Sequence, residues 1–219
     1  MIVAIDGPAG SGKSAVGARV ANALGLPFVD SGLMYRAIAC LAVDREVELA
    51  DGASLARLAH SVRVRIDGRT VWVDGADYTG QVYEPELSEA ASRVAKVAGV
   101  RLALVAQQRA LGRGGVVMAG RDIGTVVFPD SPNKFFLTAS VEERARRRAA
   151  QIEARGERAD PEEMRREVIE RDQRDSQRSV APMRPADDAI VITTDHMALS
   201  EVVEVVLRHI ETGCVQGPR

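Results

Sequence analysis

Gly7-Pro8-Ala9-Gly10-Ser11-Gly12-Lys13-Ser14 is the stretch whose reading decides the fold. The apolar run Ile2-Val3-Ala4-Ile5 precedes it and is short enough for a buried strand. Ala15 to Leu24 follows and reads as a helix. Strand, glycine-rich loop and helix, with G-x-x-x-x-G-K-[ST] at the junction, is the Walker A pattern. Its physics is direct. Glycines let the backbone curl until several N–H groups point into one concavity, a nest for anions. The helix behind adds its positive end. Lys13 can reach the β- and γ-phosphates of a nucleoside triphosphate, and the Ser14 hydroxyl can ligand Mg²⁺. Gly7 to Ala15 is therefore the expected ATP-binding segment.

Outward from the loop, Gly25-Leu26-Pro27 ends the first helix. Phe28-Val29 is a short strand leading to Asp30-Ser31-Gly32, and Leu33 to Val43 has helical spacing with Ser31 as its expected N-cap. This β-α-β-α order implies a parallel sheet with helices on its faces. The character changes between Asp51 and Gly80. Ser54 to His60 reads as a short helix. Val62 to Ile66 and Val71-Trp72-Val73 alternate around Asp67-Gly68, a hairpin signal. A hairpin does not belong inside a βαβ core, so this region reads as an insert on an edge or face of the sheet.

Glu86 to Ala98 and Val100 to Leu111 read as helices joined at Gly99. Val116 to Ala119, Lys134 to Thr138 and Ala189 to Ile192 read as further strands, the first closing in Gly120-Arg121-Asp122. Val141 to Ala154 reads as a helix with Ser140 as N-cap and Glu143 placed for a capping box. The next helix starts near Pro161 and runs to about Gln177, and the last runs from Leu199 to Thr212, with a frayed tail from Gly213.

Composition narrows the classes. The chain has 219 residues, 46% hydrophobic and 27% charged, which suits one domain with an insert. A net charge of −2 argues against a general nucleic-acid binder. The two cysteines, Cys40 and Cys214, make no disulfide framework, and His60, His196 and His209 have no metal spacing. No apolar stretch approaches a membrane span, and a strand beginning at Ile2 leaves no room for a signal peptide. The expectation is a cytoplasmic protein, monomeric, without nucleic-acid or membrane partners.

The basic residues are nearly all arginine. A guanidinium stays charged and grips two phosphate oxygens at once. Phosphoryl transfer between phosphates needs such clamps, because positioning and charge neutralisation supply most of the catalysis. Arg121, at the C-terminal end of a strand where α/β ligands bind, is the strongest candidate. Arg36 lies one turn into the second helix. Arg146 and Arg166 read as solvated. Arg171, Asp175 and Arg178 share one helical face, although a surface ion-pair ladder has the same spacing. A guanine-reading Asn-Lys-x-Asp is absent: Asn133-Lys134-Phe135-Phe136 has Phe in the decisive place.

Together Asp30-Ser31-Gly32-x-x-Tyr35-Arg36, Gly120-Arg121-Asp122-Ile123-Gly124-Thr125-Val126-Val127-Phe128-Pro129, Ala139-Ser140-x-Glu142-Glu143-Arg144-Ala145-x-Arg147-Arg148 and Arg171-Asp172-x-x-Asp175-x-x-Arg178 resemble the bacterial cytidylate kinases. The resemblance runs from the Walker loop to the last helix. One departure is Ala119, where that family usually has an acidic residue before the glycine.

The resemblance implies a P-loop NTPase-type α/β fold, with a core over 1–50 and 100–219, a lid near 150–165 and a nucleoside-monophosphate-binding insert over 51–99. It implies ATP- and Mg²⁺-dependent phosphorylation of CMP and dCMP. Ser92, Arg101 and Asp122 would read cytosine: Asp122 accepting from N4, Arg101 donating to N3 and O2. Arg36 and Arg121 would hold the acceptor phosphate, with Ser31 and Tyr35 beside them. Arg171 and Asp175 would approach the ribose and Arg178 the phosphates. Lys13, Arg121, Asp122, Arg171 and Arg178 would form the catalytic group. Arg144, Arg147 and Arg148 would contact adenine or the triphosphate, and Arg147 joins the ATP site. Asp30 would orient Mg²⁺ through water alongside Ser14, or simply cap a helix. A kinase of this build with another acceptor, such as UMP, and a nucleotide-dependent switch protein are the alternatives. ATP binding without turnover would favour the switch.

Overall fold

The computed structural model describes residues 1–84 and 87–214. In chain order the elements are β1 (Ile2–Asp6), α1 (Lys13–Leu24), β2 (Phe28–Asp30), α2 (Ser31–Asp44), α3 (Gly52–Ser61), β3 (Val64–Asp67), β4 (Thr70–Val73), β5 (Ala76–Asp77), α4 (Leu87–Val94), α5 (Ala98–Leu111), β6 (Val116–Ala119), β7 (Asn133–Thr138), α6 (Val141–Glu153), α7 (Pro161–Ser176), β8 (Ile190–Thr193) and α8 (Leu199–Cys214). A π-helical turn, Ile123–Val127, follows β6.

Five strands form a parallel sheet in the order β2-β6-β1-β7-β8. The central strands β1 and β6 are apolar almost throughout and sealed on both faces, as parallel strands must be. On one face, Val16 and Val20 of α1 and Val202, Val206 and Ile210 of α8 pack on Val3, Ile5, Phe135 and Leu137. On the other, α2, α3, α4 and α5 pack over Ala4, Val29 and Met118. The C-terminal ends of β1, β2 and β6 thus open at one rim, where the Walker loop, Asp30 and Gly120 lie.

The alternating region forms an antiparallel sheet, β3-β4-β5. Asp67 pairs with Thr70, so the two-residue connection is Gly68-Arg69 rather than Asp67-Gly68, with Gly68 at φ +56°. Val62 lies before the first of these strands, and β5 is a short addition the alternation did not mark. Leu55, Val64, Val71, Val73 and Val82 join the same buried cluster as α2 and β6, so this sheet is welded to the parallel one by shared apolar packing.

Other boundaries depart from the sequence reading for local reasons. Asp30, not Ser31, caps α2, its carboxylate accepting from Gly32 N–H at 3.0 Å. The break between α4 and α5 falls at 95–97 rather than at Gly99. Gly99 sits inside α5, where its missing side chain lets α3 approach: a Cβ there would be 2.5 Å from the Ala56 Cβ. Ser140 caps α6, accepting from Glu143 N–H at 3.2 Å. Only that half of a capping box forms, because the Glu143 carboxylate turns to Arg146 and Arg147 and the Ser140 N–H donates to Asp195. α8 continues through Gly213 and Cys214, which were expected in the tail; 215–219, and Glu86 at the start of the expected fourth helix, lie outside the described residues. No described helix is long and apolar enough to cross a membrane.

Candidate active site

The donor end is built from backbone. Gly7, Gly10 and Gly12 take φ of +142°, +78° and +92°. At Gly7 any Cβ would collide with the Leu137 carbonyl oxygen, so the loop's tight exit from β1 requires glycine. Ser11 Oγ donates to Pro8 O at 3.0 Å, and Lys13 Nζ folds across the loop to the same oxygen at 2.5 Å. The Lys13 ammonium has its pKa driven well down, first by burial and then by the positive charge of Arg121, with Arg171 adding to it. Arginines brace the outer rim. Arg144 donates to Ala9 O at 3.3 Å and forks onto Asp172 at 2.9 and 2.6 Å. Arg147 donates to Gly10 O at 3.4 Å and to Thr194 Oγ1 at 3.0 Å. Arg144 is thereby a buried strut between the loop and α7. Arg148 pairs with Glu167, and Arg146 and Arg166 are exposed as expected. Ala15 lies exposed in the first turn of α1 beside Ser14.

Ser14 Oγ donates to Asp30 Oδ2 at 2.5 Å. The pair presents oxygen donors only, beside the anion loop. No cluster of three or more His, Cys, Asp or Glu side chains able to hold a metal occurs among the described residues. A hydroxyl and a carboxylate next to phosphate oxygens suit Mg²⁺, which is commonly held by one or two carboxylates plus substrate phosphates. Asp30 both caps α2 and faces Ser14, so the two readings of it are compatible.

The acceptor end is built from side chains. Asp122 is 5% exposed and forms a buried ion pair with Arg101, itself 3% exposed. Arg178 Nη2 stands 3.6 Å from the other carboxylate oxygen. The Arg101 guanidinium lies 5.4 Å above the Tyr35 ring, and burial pushes the Tyr35 phenol up to about 12. Arg121 Nε donates to Asp175 Oδ2 at 2.8 Å, and Arg171 Nη1 to Ser88 Oγ at 2.6 Å. Arg36 donates to Val82 O at 2.9 Å, which ties α2 to the turn that follows the small sheet. Ser31 is buried, its Oγ packed against Gly120.

Two features distinguish this cluster from a surface ion ladder. First, cations outnumber anions and repel: the Arg171 guanidinium is pushed down to about 10 by burial and then by Arg121, with Arg36 and Arg148 contributing. Second, buried polar atoms lack hydrogen-bond partners among the described residues, Ser92 Oγ, Arg101 Nε and Arg171 Nε among them. Unpaired buried polar groups cost on the order of 1–3 kcal/mol each. Such a set, near an anion loop, fits a polar, anionic ligand.

The structure thus brings Lys13, Ser14, Asp30, Arg36, Arg101, Arg121, Asp122, Arg171, Asp175 and Arg178 to one rim. Asp6 was not singled out from the sequence. Its signal was a lone carboxylate ending an apolar strand directly before the loop. Asp172, which holds Arg144, lay within the Arg171-Asp172-x-x-Asp175-x-x-Arg178 string without a role of its own, and Ser88, which holds Arg171, had no signal beyond polarity.

A parallel sheet of this order, with the anion loop between β1 and α1, defines a P-loop α/β protein. The chain belongs to the cytidylate kinase family: the model described as "Cytidylate kinase" matches residues 3–212. A protein named cytidylate kinase from Pelotomaculum thermopropionicum is 46% identical over 96% of this chain and 96% of its own length. Another, from Pseudomonas aeruginosa strain LESB58, is 44% identical over 96% and 95%. A bifunctional pantoate ligase/cytidylate kinase from Synechococcus sp. (strain JA-2-3B'a(2-13)) is 47% identical over 94% of this chain, which spans 40% of that longer protein. A solved structure of an uncharacterized protein from Eubacterium ventriosum ATCC 27560 shares the fold, with a TM-score of 0.52 at 14% identity, covering 96% of this chain and 98% of that one.

Proposed function

We propose that this protein transfers the γ-phosphoryl group of ATP to CMP and dCMP. The observation that carries the reading is the convergence of Lys13, Arg121 and Arg171, in which the Arg121 charge adds to burial in lowering the pKa of both Lys13 and Arg171, next to the buried Asp122–Arg101 pair. A phosphate oxygen of CMP attacks Pγ. The bond from Pγ to the β–γ bridging oxygen breaks, and its electrons leave on ADP. The attacking oxygen is already anionic, so no general base is needed. Lys13, with the loop N–H groups, stabilises charge on the departing β-phosphate. Arg36 and Arg121 hold the acceptor phosphate in line, with Arg171 beside Arg121 at the ribose end. Ser14 and Asp30 would hold Mg²⁺, which supplies charge neutralisation across the β- and γ-phosphates.

Asp122 and Arg101 set the base. Cytosine offers an amino donor to the carboxylate and acceptors to the guanidinium; uracil would put a carbonyl against the carboxylate. A buried site with its polar groups left unpaired rejects the wrong ligand strongly. Ser92 completes that pocket; Arg178, which the resemblance assigns to the phosphates, stands 3.6 Å from Asp122 and would act beside the base-reading pair as well; and Asp175 positions Arg121 and the ribose. The insert over 51–99 would close on the acceptor and the α6–α7 connection near 150–165 would act as the lid, on a core over 1–50 and 100–219, in a monomer. The test is a panel of nucleoside monophosphates in one ATP-coupled assay with Mg²⁺. Turnover with CMP and dCMP well above UMP and AMP is expected. ADP release with AMP or UMP but not with CMP would overturn the reading.

A further inference from the structure

The turn that carries Asp122 is held at both ends. Asp6, 4% exposed, accepts from Ile123 N–H at 2.8 Å and from Gly124 N–H at 2.7 Å, one carboxylate oxygen to each. These are the free N–H groups at the start of the π-helical turn. At its other end Arg109, from α5, donates to Val127 O at 3.0 Å and to Val126 O at 2.8 Å. An anion thus sits on the positive end of the turn and a cation on its negative end. A Cβ at Gly124 would press on the Lys134 side chain at 3.2 Å, while meeting Asp6 Oδ2 at an ordinary contact distance of 3.4 Å. Inside the turn, Val126 N–H and Val127 N–H both reach the Asp122 carbonyl and Phe128 N–H reaches Ile123 O, so Asp122 has little freedom to shift alone.

Asp6 does not touch the Asp122–Arg101 pair. Yet it is the last residue of β1, and Gly7 of the anion loop follows it directly. Its side chain therefore grips the base-reading turn while its backbone starts the phosphate cradle. A carboxylate kept this deep is expensive: burial raises its pKa to about 6 even against its two N–H partners, and Asp122 pushes the same way while Lys13 opposes. A role confined to filling the end of the strand would be served by an apolar side chain at lower cost.

We propose that Asp6, with Arg109 at the opposite end, is a positioning residue that sets the placement of Asp122 relative to the anion loop, and so tunes recognition of the acceptor base. This rests on the proposed use of CMP as acceptor. Loosening either clamp lets the Asp122 carboxylate drift from the cytosine amino group while leaving the triphosphate cradle in place.

The experiment compares wild-type protein with Asp6→Asn and Arg109→Ala, measuring KM for ATP, KM for CMP, kcat, the ratio of kcat/KM for CMP over UMP, and the melting temperature. Asp6→Asn keeps one acceptor oxygen but turns an N–H toward a backbone N–H. Arg109 is exposed, and its side-chain hydrogen bonds among the described residues go to these two carbonyls, so its removal leaves the buried clusters intact. The expected result is a rise in KM for CMP of about tenfold and a comparable fall in the CMP/UMP ratio in both variants, with KM for ATP changed by less than about twofold, the tenfold corresponding to loss of roughly one charge-assisted hydrogen bond. A CMP/UMP ratio unchanged in Arg109→Ala overturns the proposal, even if Asp6→Asn fails to fold. So does a lowered melting temperature in both variants with the ratio intact. A wild-type protein inactive on CMP would instead sink the proposed function.

Discussion

Asp122→Asn is the sharpest perturbation of the base-reading pocket. The carboxylate is buried against Arg101, with Arg178 facing its second oxygen. Removing it altogether, as in Asp122→Ala, strands two buried guanidiniums and should cost about 3–5 kcal/mol of stability. Asparagine is gentler, because its carbonyl still accepts from Arg101. What it loses is the charged acceptor for the cytosine amino group. A hydrogen bond to a charged group contributes about 1.5–3 kcal/mol. At 1.36 kcal/mol per tenfold, kcat/KM for CMP should fall by roughly 10- to 150-fold. The amide can also turn its NH₂ toward the uracil carbonyl, so UMP should gain. The CMP/UMP ratio should therefore collapse by about 100-fold or more. The assay is ADP release at saturating ATP, with each nucleotide titrated and the melting temperature recorded alongside. A ratio within about threefold of wild type, in a protein that melts normally, would show that the base is read elsewhere and refute the reasoning.

Lys13→Ala should lower kcat by about 100- to 1,000-fold or more, the range seen when one stabilising donor is removed, with the melting temperature unchanged or raised because a buried cation is gone. Asp30→Asn should keep the cap on α2, since asparagine caps as well as aspartate, yet raise the Mg²⁺ concentration for half-maximal rate by about tenfold; Asp30→Ala should also lose about 1 kcal/mol of stability, read by thermal melting. Gly99→Ala sets two effects against each other: overpacking against Ala56 costs about 1–3 kcal/mol, while alanine's helix propensity returns up to about 1, so a net loss is expected in chemical denaturation. Glu143, held at about 2 chiefly by its hydrogen bond from Arg146, contributes stability that is full above about 4.5 and lost as pH falls toward 2; Glu143→Gln should flatten that limb of the acid-denaturation curve. Asp6 runs the other way, its raised pKa costing stability as pH climbs from about 4 to about 6.

The helices and most strands were legible because their causes are local. Apolar periodicity, Ser140 before Val141 and Pro161 at the head of α7 are choices each segment makes alone. The misplacements came where a distant neighbour intervened. Gly99 looks like a helix stop on its own, but it is the seat for Ala56. Glu143 looks like half of a capping box, but two arginines compete for its carboxylate.

From sequence alone followed the anion loop, its place between a buried strand and a helix, and the parallel sheet that such a unit demands. Those depend on backbone conformations that only glycine permits and on periodicities carried within a few residues. The tertiary structure alone decided which charges meet. Asp6 and Gly124, or Arg121 and Asp175, are separated by long stretches of chain, and a side chain's partner is set by how the sheet stacks its strand ends, which no single segment encodes.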